Sequence, residues 1–95
     1  MENQRFIIRG DRSGVFFGEI AERSGKEVKI TNCRRLWYWS GAASLSQLAL
    51  EGVTDPDGCK FTVTVPEATI LDAIELLPCT AAACKSIDGV KVWRR

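Results

Sequence analysis

The chain has 95 residues, 45% of them hydrophobic, which is enough for one compact domain spanning 1–95 and too few for a second with its own core. Its 13 basic and 12 acidic side chains leave a formal charge of +1, which argues against a protein held on duplex nucleic acid by many phosphate contacts. With no histidine, the side chain best suited to acid–base work near neutrality is missing, and a non-catalytic role is expected.

The polar start Met1-Glu2-Asn3-Gln4-Arg5 and the short apolar Phe6-Ile7-Ile8 do not make a secretory leader, and no stretch approaches membrane-spanning length, so a cytosolic protein is expected. Cys33, Cys59, Cys79 and Cys84 lack zinc spacing; buried reduced thiols are the expectation, with no metal and no cofactor. A domain this small buries a modest fraction of its surface, and assembly into a homo-oligomer is a natural supplement.

In chain order, residues 4–9 form a first strand, ended by the Gly10-Asp11-Arg12-Ser13-Gly14 loop. That loop reads either as a plain hairpin turn or as a ring of backbone N–H groups able to hold an anion beside Arg9 and Arg12. Residues 15–23 form a second strand in which Phe16 and Phe17 face opposite sides, one towards the core and one towards a partner. Gly18 marks a bulge or a close backbone approach, and Ser24-Gly25 a reversal.

Residues 27–39 form a long strand carrying Thr31-Asn32-Cys33-Arg34-Arg35-Leu36-Trp37-Tyr38-Trp39-Ser40-Gly41, where two cations precede three aromatic rings. If Val28 and Ile30 point inward, strict alternation drives Arg34 inward as well. A bulge near Asn32-Cys33 instead turns Cys33 and Trp37 in and Arg34 out.

Ser44 caps a helix over 45–51, closed by Gly52, with Leu45, Leu48 and Ala49 on its core face. Residues 54–58 turn the chain, and 59–65 alternate as a strand with Phe61, Val63 and Val65 on one face. Residues 66–77 fit either a helix or a bent strand broken near Asp72, and the strand is preferred. Thr80 caps a helix over 80–87, and 90–93 form a last strand before Arg94-Arg95. The expected fold is α+β: a mostly antiparallel sheet of about six strands with two short helices.

Arginine pairs phosphate through a planar fork of donors, and aromatic rings stack on bases, so Arg34, Arg35, Trp37, Tyr38, Trp39, Phe16 and Trp93 together suit a nucleotide or a single strand. The competing reading makes the tryptophans core or interface anchors and pairs the arginines with acidic neighbours. Carboxylates at Glu19 and Glu22 or at Asp72 and Glu75 have general acid–base spacing, but it is equally the spacing of a solvated surface.

The runs Ser13-Gly14-Val15-Phe16-Phe17-Gly18, Asn32-Cys33-Arg34-Arg35-Leu36-Trp37-Tyr38-Trp39-Ser40-Gly41-Ala42-Ala43-Ser44-Leu45-Ser46-Gln47-Leu48-Ala49 and Cys59-Lys60-Phe61 resemble the type-one Thoeris anti-defence proteins of phages, over roughly residues 6–93. The resemblance implies a sponge. Such proteins sequester, without cleaving it, the cyclic ADP-ribose isomer made by a TIR-domain defence enzyme, so the effector stays off in the infected bacterial cytoplasm. Some members also hold cyclic oligonucleotides, and the family forms dimers that build hexamers with ligand where subunits meet. On this resemblance Phe16 stacks on adenine, Arg34 and Arg35 hold the diphosphate, and Trp37 and Trp39 line the pocket. The chain departs from the family pattern at Gly10-Asp11-Arg12, where a less charged loop is expected. Arg9 and Arg94 join the candidates on charge and position.

Overall fold

The computed structural model describes residues 4–94; Met1, Glu2, Asn3 and Arg95, the last at the end of the expected final strand, lie outside them. The elements are strands β1 (Arg5–Gly10), β2 (Val15–Ser24) and β3 (Glu27–Tyr38), helix α1 (Leu45–Glu51), a 3-10 turn (Pro56–Gly58), strands β4 (Lys60–Phe61), β5 (Val65–Ile70) and β6 (Ala73–Pro78), and helix α2 (Ala81–Asp88). This is the α+β fold expected, with six strands in one sheet and two short helices.

All strand pairs in the sheet are antiparallel, in the order β4-β3-β2-β1-β6, and β5 lies beside β4 along the same outer edge of β3. Only Leu71 and Asp72 link β5, on the β3 side, to β6, on the β1 side. On a flat sheet those positions are four strand spacings apart, about 19 Å, whereas three Cα steps reach about 11 Å. The sheet therefore curls until its edges meet. The Ala73 N–H accordingly donates to the Lys26 carbonyl at the β2–β3 tip, at 2.9 Å.

Curling gives the sheet two interiors. Inside the curl lie Ile8, Phe16, Val28, Ile30, Cys33, Ile70 and Ala73; on the outer face, under α1 and α2, lie Ile7, Phe17, Leu36, Phe61, Leu48 and Ile87. Adjacent pairs such as Phe16-Phe17 divide between them. The expectation that one phenylalanine would face a partner is corrected: both are buried, because both faces of the sheet are covered.

The bulge expected in β3 sits at Asn32, whose φ of 46° is left-handed. It turns Cys33 to the inner face as anticipated. Arg34, however, moves into the second interior and not into solvent, and Trp37 is 63% exposed instead of inward. Opposite the bulge, Gly18 meets Cys33 so closely that an added Cβ would lie 2.7 Å from the Cys33 Cβ, which explains the glycine.

Both helices form where the capping residues place them. Ser44 Oγ accepts from the Gln47 N–H and Thr80 Oγ1 from the Ala83 N–H, while Gly52, at φ 78°, closes α1. Residues 66–77 are two strands broken at Leu71-Asp72, as preferred. Two expected strands form only in part. Within 59–65, β4 covers Lys60–Phe61, the Thr62 N–H still donates to the Arg35 carbonyl, and Val65 opens β5; between them the Thr62 carbonyl turns to Arg34 and Val63 is exposed. In 90–93 there is only a parallel bridge from Val92 to Phe61. All four cysteines are reduced and buried.

Candidate functional site

Arg34 and Arg35 are neighbours in sequence and opposites in environment. Arg34 is buried, and its guanidinium donates to the carbonyls of Thr62 (2.9 Å), Ile87 (3.0 Å), Val90 (3.1 Å) and Phe61 (3.1 Å). Burial pushes its pKa down from the usual guanidinium range, and the charge of Asp88 partly offsets this. Four of its five donors are thus spent on the backbone around β4 and the end of α2. In this structure Arg34 is a clamp on the backbone, with one donor left over for the diphosphate role expected of it.

Arg35 lies across the ladder from Phe16. Its guanidinium carbon sits 4.4 Å above the centre of the Phe16 ring, and Nη1 donates to the Ser13 carbonyl. Phe16 itself is only 5% exposed, so it does not offer its ring to a base. The ring expected to stack on adenine is here the floor under Arg35, which keeps its other planar face towards the recess that both residues line.

The 10–14 loop beside Arg35 answers both readings of its sequence. It is a hairpin turn, and its N–H groups do bind an anion, which is the chain's own Asp72. The Arg12 and Ser13 N–H groups donate to Asp72 Oδ2 at 2.7 and 3.1 Å, and Ser13 Oγ donates to Oδ1 at 2.6 Å. These bonds, the Ser13 hydroxyl foremost and the Arg12 N–H next, hold the Asp72 carboxyl below the usual carboxylate range. The corner between β5 and β6 is thereby fastened to the loop, and Arg12 is placed at the mouth of the same recess as Arg35.

That recess has a volume of ≈ 490 Å³ and runs between Arg12, Ser13, Phe16 and Arg35 on one side and Ala68, Thr69, Ile70 and Leu71 on the other. A smaller hollow of ≈ 170 Å³, lined by Phe16, Arg34 and Arg35, continues past Cys33, Thr62 and Val63. Among the described residues neither Arg12 nor Arg35 is in an ion pair; the pairs formed are Arg5–Asp88, Arg9–Glu75 and Lys29–Glu67. Among the described residues the only carboxylate lining the larger recess is Asp72, with both oxygens engaged, so these residues offer cations and apolar wall but no free base.

The other candidates scatter. Trp37, two residues on from Arg35 in β3, is exposed at the rim, whereas Trp39 packs against the helix-side core. Arg9 points away from the recess, on the helix side of β1, and pairs with Glu75 at 3.3 Å. Arg94 is exposed beyond Trp93 and lines neither hollow. Tyr38 and Trp93 instead flank Lys60, with their ring centres 6.0 and 5.5 Å from its Nζ. Asp72 is the contributor that sequence reasoning missed as part of the site, because its partners are about sixty positions away.

Residues 3–87 match a family described as Domain of unknown function (DUF6948), and no curated protein and no solved structure matches the chain.

Proposed function

We propose that this chain, which belongs to the DUF6948 domain family, captures an anionic nucleotide-type ligand without transforming it. The single observation that carries this reading is Arg35, laid flat on Phe16 beside an open recess, with no carboxylate partner among the described residues and with Arg12 at the mouth. A phosphate takes the outward N–H groups of Arg35, a planar base takes its free face or the apolar wall at Ala68 and Leu71, and Trp37, two residues on in β3, is exposed for further stacking.

Joined to the resemblance to the Thoeris anti-defence proteins, the reading becomes a sponge for cyclic ADP-ribose-type signals, glycocyclic ADP-ribose first and cyclic oligonucleotides second, acting in the infected bacterial cytoplasm. Stoichiometric capture needs tight binding, and a nanomolar Kd corresponds to about 12 kcal/mol. Charge-assisted bonds at about 1.5–3 kcal/mol each and stacking at about 1–3 supply part of that. A second copy closing the open side, in a dimer or hexamer, supplies preorganisation.

To test this, the protein is loaded with glycocyclic ADP-ribose, freed of unbound ligand and heat-denatured. Intact ligand in the supernatant is expected; a cleaved product sinks the sponge in favour of an enzyme. Arg35→Ala is expected to weaken uptake at least tenfold, as loss of about 1.5–3 kcal/mol requires, while the thermal midpoint stays near that of the parent. A second reading, a single-strand nucleic-acid binder, is favoured by the exposure of Trp37 and Tyr38 beside Lys60. Salt-dependent oligonucleotide binding with no cyclic-nucleotide uptake selects it.

A further inference from the structure

Another hollow lies on the helix side of the sheet, opposite the face that carries Arg35. It has a volume of ≈ 690 Å³ and is lined by Arg5, Glu19, Cys79, Cys84, Lys85 and Asp88, with Gln4 and Ala81 at its edge. Two of the four thiols therefore border one solvent-connected space. Their positions follow from the helix cap: Cys79 immediately precedes the N-cap Thr80, and Cys84 is the fourth residue of α2. In a capped helix those two positions turn their side chains onto each other, an arrangement usually filled by a pair of apolar residues. Here the pair is two thiols.

The surroundings hold the pair in place. Thr80 Oγ1 accepts from the Ala83 N–H at 3.1 Å and fixes the first turn. The Cys79 N–H donates to the Arg5 carbonyl at 2.9 Å, and Gln4 Nε2 donates to the Cys79 carbonyl at 2.8 Å. The Arg5 guanidinium, paired with Asp88 at 2.7 Å, also lies beside the Cys84 sulfur. The remaining thiols are placed differently: Cys33 sits inside the curl, and the Cys59 sulfur rests on the carbonyls of Asp55 (3.4 Å) and Ser40 (3.6 Å).

We propose that Cys79 and Cys84 are an oxidisable dithiol, a modification site that closes to an intrachain disulfide by exchange with a small-molecule disulfide such as glutathione disulfide. Cys84, beside the Arg5 cation, is the attacking thiol. Its thiolate displaces one glutathione thiolate and forms a mixed disulfide; the Cys79 thiol then gives up its proton, attacks the Cys84 sulfur and releases the second glutathione. Two protein thiols and one disulfide become one protein disulfide and two glutathione thiols, so atoms and electrons balance. Burial, and the neighbouring Cys84 after it, push the Cys79 thiol up to about 12, so Cys79 is not the first attacker; its attack on the mixed disulfide draws on its place against Cys84 at the helix start.

The chain itself supplies a clean readout, because no lysine or arginine lies between Phe61 and Lys85, and trypsin releases both cysteines on one fragment, 61–85. After incubation of the reduced, folded protein with glutathione disulfide, that fragment is expected to lose two hydrogens and to resist alkylation, while fragments 30–34 and 36–60, carrying Cys33 and Cys59, are alkylated. Cys79→Ser is expected to stop at a stable glutathione adduct on Cys84, and Cys84→Ser to take up none. Alkylation of both cysteines in 61–85 after oxidation, or their linkage to Cys33 or Cys59, overturns the pairing. An adduct on Cys79 in Cys84→Ser, with none on Cys84 in Cys79→Ser, overturns the order of attack.

Discussion

Arg34 and Arg35 show how little residue type says about role when the chain alternates between two interiors. Among the described residues the buried Arg34 cation has no carboxylate in contact, and it is held by four backbone carbonyls that accept from its donors. Removing it takes the donor from the Thr62 and Val90 carbonyls, while those of Phe61 and Ile87 keep the Trp93 and Val90 N–H groups, and it opens a void, so Arg34→Ala is expected to lower unfolding free energy by about 3–5 kcal/mol, the scale for breaking a desolvated polar cluster. A urea titration checks this, with the midpoint falling and ligand uptake per folded molecule unchanged. Arg34→Lys is expected to recover only part of the loss, since an ammonium lacks the fork that reaches carbonyls on two sides. The adjacent Arg35 carries the reverse signature, in which affinity falls and stability holds.

At the level of elements, the 10–14 loop and the β5–β6 corner form one unit through Asp72. Its hydrogen bonds depress the folded-state pKa of the carboxyl, so they contribute stability above the unfolded value near 4 and lose it as pH falls through the folded value. Acid titration of thermal stability is expected to show this as a steeper fall below about pH 4 in the parent than in Asp72→Asn. The same substitution frees the loop to move Arg12, and ligand uptake at neutral pH is expected to drop because Arg12 loses its fixed place at the recess. Equal acid limbs in the two proteins would show that the corner is held by other bonds.

For the molecule as a whole, the curled sheet with helices on one side covers both faces of β1 to β3 and leaves its apolar surplus at the rim: Trp37, Val63 and Val65 on one flank, Leu71 and Ile74 near the corner. That distribution is the basis for expecting assembly. Light scattering on purified protein is expected to give a mass that is a multiple of 10.5 kDa, two or six copies, and Trp37→Ser is expected to lower it. A monomer at micromolar concentration, with full ligand uptake, would remove the second copy from the proposed site.

The sequence alone determined what depends on neighbours along the chain. Ser44, Gly52 and Thr80 fixed the helix ends, Gly18 and Asn32-Cys33 marked the irregular ladder, and the break near Asp72 divided two strands, because caps, bulges and turns are set by backbone geometry within a few residues. Tertiary structure alone decided which alternating face is interior. A period of two separates the faces of a strand but does not say whether solvent, a helix or the sheet's own curl covers each one. For that reason Phe16 became a floor, Arg34 a clamp, Val63 and Val65 surface, and the aspartate at position 72 the anion that the glycine loop was built to hold. Arg35 alone among the charged candidates kept its outward face over the recess, through the curl that buried the phenylalanine beneath it.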